Sequence, residues 1–308
     1  MPELDGAPRS EPAPAGLQTV EACAPRPEPA PAELQSVAAC VPPPVLAELA
    51  VGRWRAGALR QERDLVAEEL PVALVYHGVP HGVMLATPAD LEDFAVGFTL
   101  SEALVEEARE IHAVEVLYGA ESAEVRISVA WERFSKLLER RRHLTGRTGC
   151  GLCGVESAQQ ALREVRSVGR GPSVTIADLH SAIAQLARRQ PLNARTGSVH
   201  AAAWVAPGRG IEIVREDVGR HNALDKLIGA RVRAGGDFSD GFVLLTSRAS
   251  YEMIQKSAAV GITFLAAFSA PTALAVRLAE RAGMTLVAFA REGQHVVYAH
   301  AARLAVSE

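Results

Sequence analysis

Between Phe242 and Ala290 the chain repeats one pattern, a short and almost continuously apolar run followed by a helical segment. The runs are Phe242–Thr246, Ile262–Phe268 and Met284–Ala290, and the segments between them are Tyr251–Ala259 and Thr272–Ala282. A strand that is apolar on both faces has to be covered on both, and alternation with helices achieves this when the strands run parallel. The C-terminal half is therefore predicted to be a layered α/β unit. His295–His300 returns as a last strand after the Glu292-Gly293 turn. Upstream, Val199–Ala206 and Ile211–Arg215 read as a hairpin closed by Pro207-Gly208-Arg209-Gly210, and Asn222–Arg233 reads as a helix. Thr175-Ile176-Ala177-Asp178 has the form of a capped helix start, with the helix running to about Arg189.

The N-terminal half lacks that alternation. Folding signals begin near Leu49. Pro71–Tyr76 is a strand, His77-Gly78 a turn and Val83–Ala86 its partner, followed by Val114–Tyr118 and Val125–Val129. Thr87-Pro88-Ala89-Asp90 has the pattern of a threonine N-cap with proline at the first helical position. The helix it opens places Leu91, Phe94, Ala95, Phe98 and Leu104 mostly on one face. Trp131 to His143 forms an amphipathic helix with a basic end. Residues 45–143 thus read as a small α+β domain. Residues 1–44 are rich in proline, alanine and glutamate, and the stretch Glu11 to Cys23 recurs as Glu28 to Cys40. Two copies are too few to stack, and the prolines oppose regular structure, so a disordered tail is expected there.

Residues 144–156, around Thr145-Gly146-Arg147-Thr148-Gly149-Cys150-Gly151-Leu152-Cys153-Gly154, are expected to be a flexible loop, and residues 157–308 are expected to make the second domain. Basic residues at 140–142 and Arg147 favour thiolate over thiol, and the thiolate is the nucleophile. Cys150 and Cys153 could be half of a zinc site, a thioredoxin-like pair or a structural disulfide. Zinc normally needs four ligands, a redox pair belongs in a βαβ setting, and a disulfide suits an oxidising compartment. A nucleophilic or sulfur-carrying cysteine fits the setting best.

Ligands of open α/β sheets bind outside the carboxyl ends of the parallel strands. Thr246-Ser247-Arg248-Ala249-Ser250 lies there and offers hydroxyls, an arginine and a helix start to a phosphate, although Ser247 or Ser250 could simply cap. Ser269, after the next strand, reads as a cap. Phe289 to Gln294 is either a phosphate contact or a solvated hairpin tip. The polar loop Arg215-Glu216-Asp217-Val218-Gly219-Arg220-His221-Asn222, with Asp225 and Lys226 a turn later, reads as a ligand or mechanistic segment. His200, inside an apolar strand, reads as a hydrogen-bonded core histidine. The net charge of -4 gives no field for nucleic acid. No apolar run reaches the roughly 20 residues of a membrane span, and no signal peptide pattern opens the chain; a cytoplasmic protein is expected. No Walker A, G-x-G-x-x-G, zinc deaminase or G-x-S-x-G pattern is found.

These segments together resemble the formate dehydrogenase accessory sulfurtransferases, the FdhD family. The matching stretches are Pro71–Val75, RRRHLTGRTGCGLCG from Arg140, EDVGRHNALDKLIG from Glu216, SRASYEMIQK from Ser247 and TLVAFAREGQ from Thr285. The resemblance runs from about residue 50 to the end. It implies a sulfurtransferase loaded by a cysteine desulfurase, passing sulfur to the molybdenum (or tungsten) bis(molybdopterin guanine dinucleotide) cofactor before that cofactor enters formate dehydrogenase. It further implies Cys150 as persulfide carrier and Cys153 as its support. The cofactor-binding residues implied are Phe289, Ala290, Arg291, Glu292, Gly293 and Gln294, with Arg220, His221, Ser247 and Arg248, and no metal held by the protein itself. A homodimer and a cytidine deaminase-like second domain without zinc ligands complete the expectation. Gln294 stands where the family pattern leads us to expect a basic residue, which leaves the phosphate grip there weaker or shared with Arg248 or Arg220. A non-catalytic cofactor chaperone is the alternative reading.

Overall fold

A computed structural model describes residues 42–142 and 165–305. Cys150, Cys153 and almost all of the predicted tail therefore lie outside the described residues.

The chain begins with a long hairpin, β1 (Leu46–Arg55) and β2 (Ala58–Ala67), whose ten paired positions run from Leu46 opposite Ala67 to Arg55 opposite Ala58. The sequence reading misses it. Most of its residues are exposed on both faces, so no apolar-polar alternation marks the strands. Then come β3 (Leu70–Tyr76), β4 (Val79–Ala86), helix α1 (Leu91–Ser101), β5 (Ile111–Tyr118), β6 (Ala123–Val129) and α2 (Trp131–Arg142). The four strands form one sheet in the order β4-β3-β6-β5, parallel only at β3–β6.

After the undescribed stretch come β7 (Val174–Thr175), α3 (Ile176–Leu186), α4 (Pro191–Thr196), β8 (His200–Ala206), β9 (Gly210–Asp217) and α5 (Arg220–Arg233). The predicted alternation follows: β10 (Phe242–Leu245), α6 (Tyr251–Ala259), β11 (Phe264–Ala267), α7 (Ala273–Ala282), β12 (Thr285–Arg291) and β13 (Gln294–Ala299). A two-residue strand, β14 (Leu304–Ala305), pairs with β7. The larger sheet has the order β13-β12-β11-β10-β8-β9, with β10, β11 and β12 parallel and the flanking pairs antiparallel. Alternate residues of its strands enter two different cores. Ala203, Val205, Leu244 and Ala266 meet α3 through Leu179, Ile183 and Leu186. Ala202, Trp204, Leu245 and Leu265 join the core that holds α5, α6 and α7. That second core continues into α1 and the four-stranded sheet through Val72, Leu74, Phe94 and Ile127. The architecture is mixed α/β. Among the described residues no helix is long and apolar enough to cross a membrane.

Three local expectations are corrected. Thr87 does not cap α1; the N-cap is Asp90, with φ 54° and no side-chain cap bond. Thr87 is buried instead and ties the two halves of the chain together. Its N–H donates to Asp217 Oδ2 at 3.0 Å, its carbonyl accepts from Lys226 Nζ at 2.9 Å and its hydroxyl accepts from Val218 N–H at 3.2 Å. Second, α1 is not one-faced: every residue except Glu92 is buried, because α5 covers the side the sheet does not. Third, α7 is capped by Thr272, which accepts from Ala275 N–H at 3.2 Å, and not by Ser269. The Thr175 capping box of α3 is present as read, with Asp178 returning the bond.

Candidate functional site

The strand ends form one continuous edge. His200 at the start of β8 lies opposite Asp217 at the end of β9. Beyond β10, Thr246 N–H donates to Ala201 O at 3.1 Å, and Phe268 N–H, beyond β11, donates to Leu245 O at 2.9 Å. Thr272 N–H donates to Ala249 O at 3.0 Å, and Phe289 N–H, at the bulge of β12, donates to Ser269 O at 3.3 Å. With neighbouring strands about 4.8 Å apart, the row from β9 to β12 spans roughly 19 Å. Three helices, α5, α6 and α7, start along it. Neither Gly219 before α5 nor Ser250 before α6 makes a side-chain cap bond, so those two N-termini keep their positive dipole ends facing the edge.

Most of the polar loop that the sequence nominates is consumed by the fold. Glu216 accepts the N–H groups of Leu192 and Asn193 at the start of α4, at 2.9 and 2.8 Å. Arg215 pairs with Asp93 at 2.7 Å. Asp217 and Lys226 are wholly buried, 2.6 Å apart. Asp217 also accepts from Gly219 N–H at 2.7 Å and Asn222 Nδ2 at 2.9 Å. Asp225 accepts from Ser101 Oγ at 2.6 Å and pairs with Lys256 at 2.9 Å, while Lys256 also meets Glu102 at 2.8 Å. These acids and lysines hold helices together, which corrects the ligand role assigned to the whole segment.

What remains after that subtraction is Arg220, His221 and Arg248. Arg220 Nε and His221 Nε2 are enclosed yet have no hydrogen-bond partner among the described residues. Glu252, on the first turn of α6, brings a carboxylate oxygen to 3.7 Å from His221 Nε2. Arg248 is exposed, and Ser247 is buried with its hydroxyl donating to Arg248 O at 3.1 Å. The edge thus joins residues 217–221 to 246–252. The terminal segment lies on the same edge, two strands beyond β10. Phe289 is 38 % exposed with φ 49°, Ala290 is buried, and Arg291, Glu292, Gly293 and Gln294 are exposed at the β12–β13 turn. That turn is fastened to α3: Gly293 N–H donates to His180 Nδ1 at 3.2 Å, and His180 Nε2 lies 3.1 Å from His295 Nδ1.

The sequence reading misses Glu252, which stands inside the SRASYEMIQK motif, and the His180–His295 fastening, whose partners are distant in sequence. His200 is half-buried at this edge and not a core residue; burial and the charge of Arg220 push it below the ordinary imidazole value. Burial and Arg220 do the same to His221, and burial and His180 to His295. The unfolded chain takes up protons on these rings near pH 6.5, so acid favours unfolding below about that value while the folded chain is still neutral there. The melting midpoint is expected to fall between about pH 7.5 and 5.5, and His221→Asn to flatten the slope. An unchanged slope in that variant would mean that His221 is not held neutral.

A cavity of about 580 Å³ lies away from the strand ends, between Thr87, Arg189, Arg215 and Glu216. Arg215 and Glu216 are already paired there, and Arg189 donates to Ile211 O. The strand-end row, with polar atoms left over, is the better candidate.

A family model described as the FdhD/NarQ family matches residues 67–305. A sulfur carrier protein FdhD from Cupriavidus necator is 55% identical over 255 residues, covering 83% of this chain and 88% of that one. Another of the same name from Xanthomonas euvesicatoria pv. vesicatoria is 51% identical over 254 residues, 82% and 90% of the two chains. The crystal structure of a proposed formate dehydrogenase accessory protein from Desulfotalea psychrophila aligns with TM-score 0.67 at 24% identity, over 85% of this chain and all of that one. At that identity the likeness speaks to the fold alone.

Proposed function

Since the chain belongs to the FdhD/NarQ family, we propose that it carries sulfur for a formate dehydrogenase, delivering it to the molybdenum bis(molybdopterin guanine dinucleotide) cofactor. The observation that carries this reading is the remainder at the strand ends: enclosed nitrogens of Arg220 and His221 without hydrogen-bond partners among the described residues, beside two helix starts without side-chain caps. Phosphates suit such a site, because helix N-termini and guanidinium forks both favour negative charge. A row roughly 19 Å long matches an extended dinucleotide better than a small metabolite. Arg248 and Arg291 are exposed along it and available to further phosphates. The larger sheet, with an antiparallel β9–β8 pair followed by parallel β10, β11 and β12, supports a cytidine deaminase-like layering.

Loading is a thiol exchange. The Cys150 thiolate attacks the terminal sulfur of a cysteine desulfurase persulfide; the donor S–S bond breaks, the donor thiolate leaves, and no outside oxidant is consumed. Cys150 then holds the sulfane sulfur as a persulfide, with Cys153 as its support. Downstream of the cysteines, Val165 and Arg166 line a crevice with Gln255 and Ala259 of α6. Ala259 is about 10 Å along α6 from Glu252, at 1.5 Å per residue. The stretch from Cys153 to Val165 spans up to about 40 Å when extended, so chain length permits delivery at the strand ends. The same reading takes the protein as a cytoplasmic homodimer.

Incubation with a cysteine desulfurase and cysteine, followed by intact and peptide mass spectrometry, tests the proposal. The expected result is one additional sulfur on Cys150, absent in Cys150→Ser, together with loss of dehydrogenase activation in that variant. A chain that binds the cofactor but never gains sulfur would replace this reading with that of a non-catalytic chaperone.

A further inference from the structure

His200 opens β8, the strand that lies between β9 and β10 in the larger sheet. Because β8 runs antiparallel to both, its first residue stands on the strand-end row, between the Arg220 loop and the Ser247 loop. Side chains alternate along a strand. Ala201 and Ala203 enter the core of α3, while Ala202 and Trp204 enter the core of α5, α6 and α7. The register is regular from His200 to Trp204, so His200 shares the face of Ala202, which α5 and α6 cover. Thr246 Oγ1 accepts from Ala201 N–H at 2.9 Å, which holds the loop before α6 against the start of β8. The charges around His200 are those of Arg220 and Asp217, and Asp217 is already spent on Lys226. Those around His221 are Arg220, Glu252 and Lys256, and Lys256 is spent on Asp225 and Glu102. What is left is the guanidinium of Arg220 against the half-exposed carboxylate of Glu252, which also accepts from Ser250 Oγ at 2.8 Å. Burial first, and Arg220 second, hold both rings below the ordinary imidazole value.

A neutral imidazole beside a cation gains a proton when an anion arrives. An opposite charge within about 4–6 Å favours the charged form by roughly 1–3 pH units, and the same anion neutralises the cation that opposed protonation. We propose that His200 contacts the phosphates of the ligand in this row, and that binding draws protons onto His200 and His221 together. This rests on the reading of the row as a phosphate site given above. The protons come from solvent, and no bond to phosphorus forms or breaks. The protonated rings then donate charge-assisted hydrogen bonds to phosphate oxygens, about twice as strong as neutral ones. The sign follows from linkage. Protonation belongs to the bound form, so affinity is greatest in acid and falls as pH rises through the raised value of the bound rings. A histidine that only packs at the strand edge takes up no proton on binding.

Isothermal titration calorimetry of the full chain with diguanosine pyrophosphate, in buffers of different ionisation enthalpy, counts the protons. The phosphates of that probe are diesters and do not titrate near neutrality, so every proton counted belongs to the protein. At about pH 7.5 the wild type is expected to take up about one proton or more, and its affinity to fall about 10-fold or more between about pH 6.5 and 8.5. His200→Gln keeps a polar side chain that does not titrate. It should lower the uptake by about half and weaken binding about 5-fold at about pH 6.5, with affinity within about 2-fold of wild type at about pH 8.5. An uptake in His200→Gln equal to that of wild type removes His200 from the site and overturns the proposal. Binding by the wild type without proton uptake overturns the coupling and leaves the phosphate reading standing. Should His200→Gln fail to fold, nuclear magnetic resonance titration of the histidine rings in the wild type decides. If no histidine midpoint rises on addition of the probe, the proposal is overturned. If the wild type does not bind the probe at all, the phosphate reading of the row fails, and this inference with it.

Discussion

Gly97→Ala and Gly229→Ala are each expected to lower the melting midpoint by about 10 °C or to prevent folding. A Cβ added at Gly97 would stand 1.7 Å from Asp225 O, and one at Gly229 would stand 1.9 Å from Asp93 O. Both obstacles are backbone atoms, so no rotamer change relieves them. The helices α1 and α5 must instead move apart, and α1 is buried along nearly its whole length against α5 and the small sheet. Separation there opens voids on two sides as well as creating the clash, which places the cost at about 3 kcal/mol or more. For a chain of this size that corresponds to roughly 2–4 °C per kcal/mol. Thermal unfolding followed by circular dichroism gives the answer. A midpoint within a degree or two of wild type would mean that the crossing is looser than these contacts describe.

Lys226→Met is the second large effect. The Lys226 ammonium lies 2.6 Å from Asp217 and 2.9 Å from Thr87 O, with neither charged side chain exposed. Removing the cation strands a buried carboxylate, and breaking such a pair from one side costs about 3–5 kcal/mol. The double variant Asp217→Asn/Lys226→Met should recover part of that loss, because no buried charge then lacks its partner. Urea unfolding of the wild type, both single variants and the double variant closes the cycle. A Lys226→Met cost under about 1 kcal/mol would show that water reaches the pair.

The legible parts of the fold are those where burial imposes a period. β10 and β11 are buried at every position, and the apolar runs match them within two residues at each end, because a strand covered on both faces is a plain apolar run. The β1–β2 hairpin gives no such signal, since Glu, Arg and Gln occupy both of its faces. Thr87 imitates a cap in sequence, yet its bonds go to residues some 130 positions away, which no local pattern encodes. The same limit applies at the site. EDVGRHNALDK is visible as an unusually polar stretch, but only the partners Thr87, Ser101, Leu192 and Lys256 reveal which of its charges are already committed. Arg220 and His221 stand out by subtraction, and subtraction requires coordinates. The cysteine loop is the reverse case, plain in sequence and outside the described residues.

The tie between Thr87 and Asp217 has a consequence for biosynthesis. The loop that presents Arg220 is braced by a backbone amide made 130 residues earlier, by Lys226 a few residues later and by Asn222, which reaches back to Leu85 O at 2.8 Å. A nascent chain emerging from the ribosome holds the first part of this brace long before the rest exists. The loop that presents Arg220 is therefore braced only after synthesis has passed α5, and the strand-end row is complete only once β12 has been made.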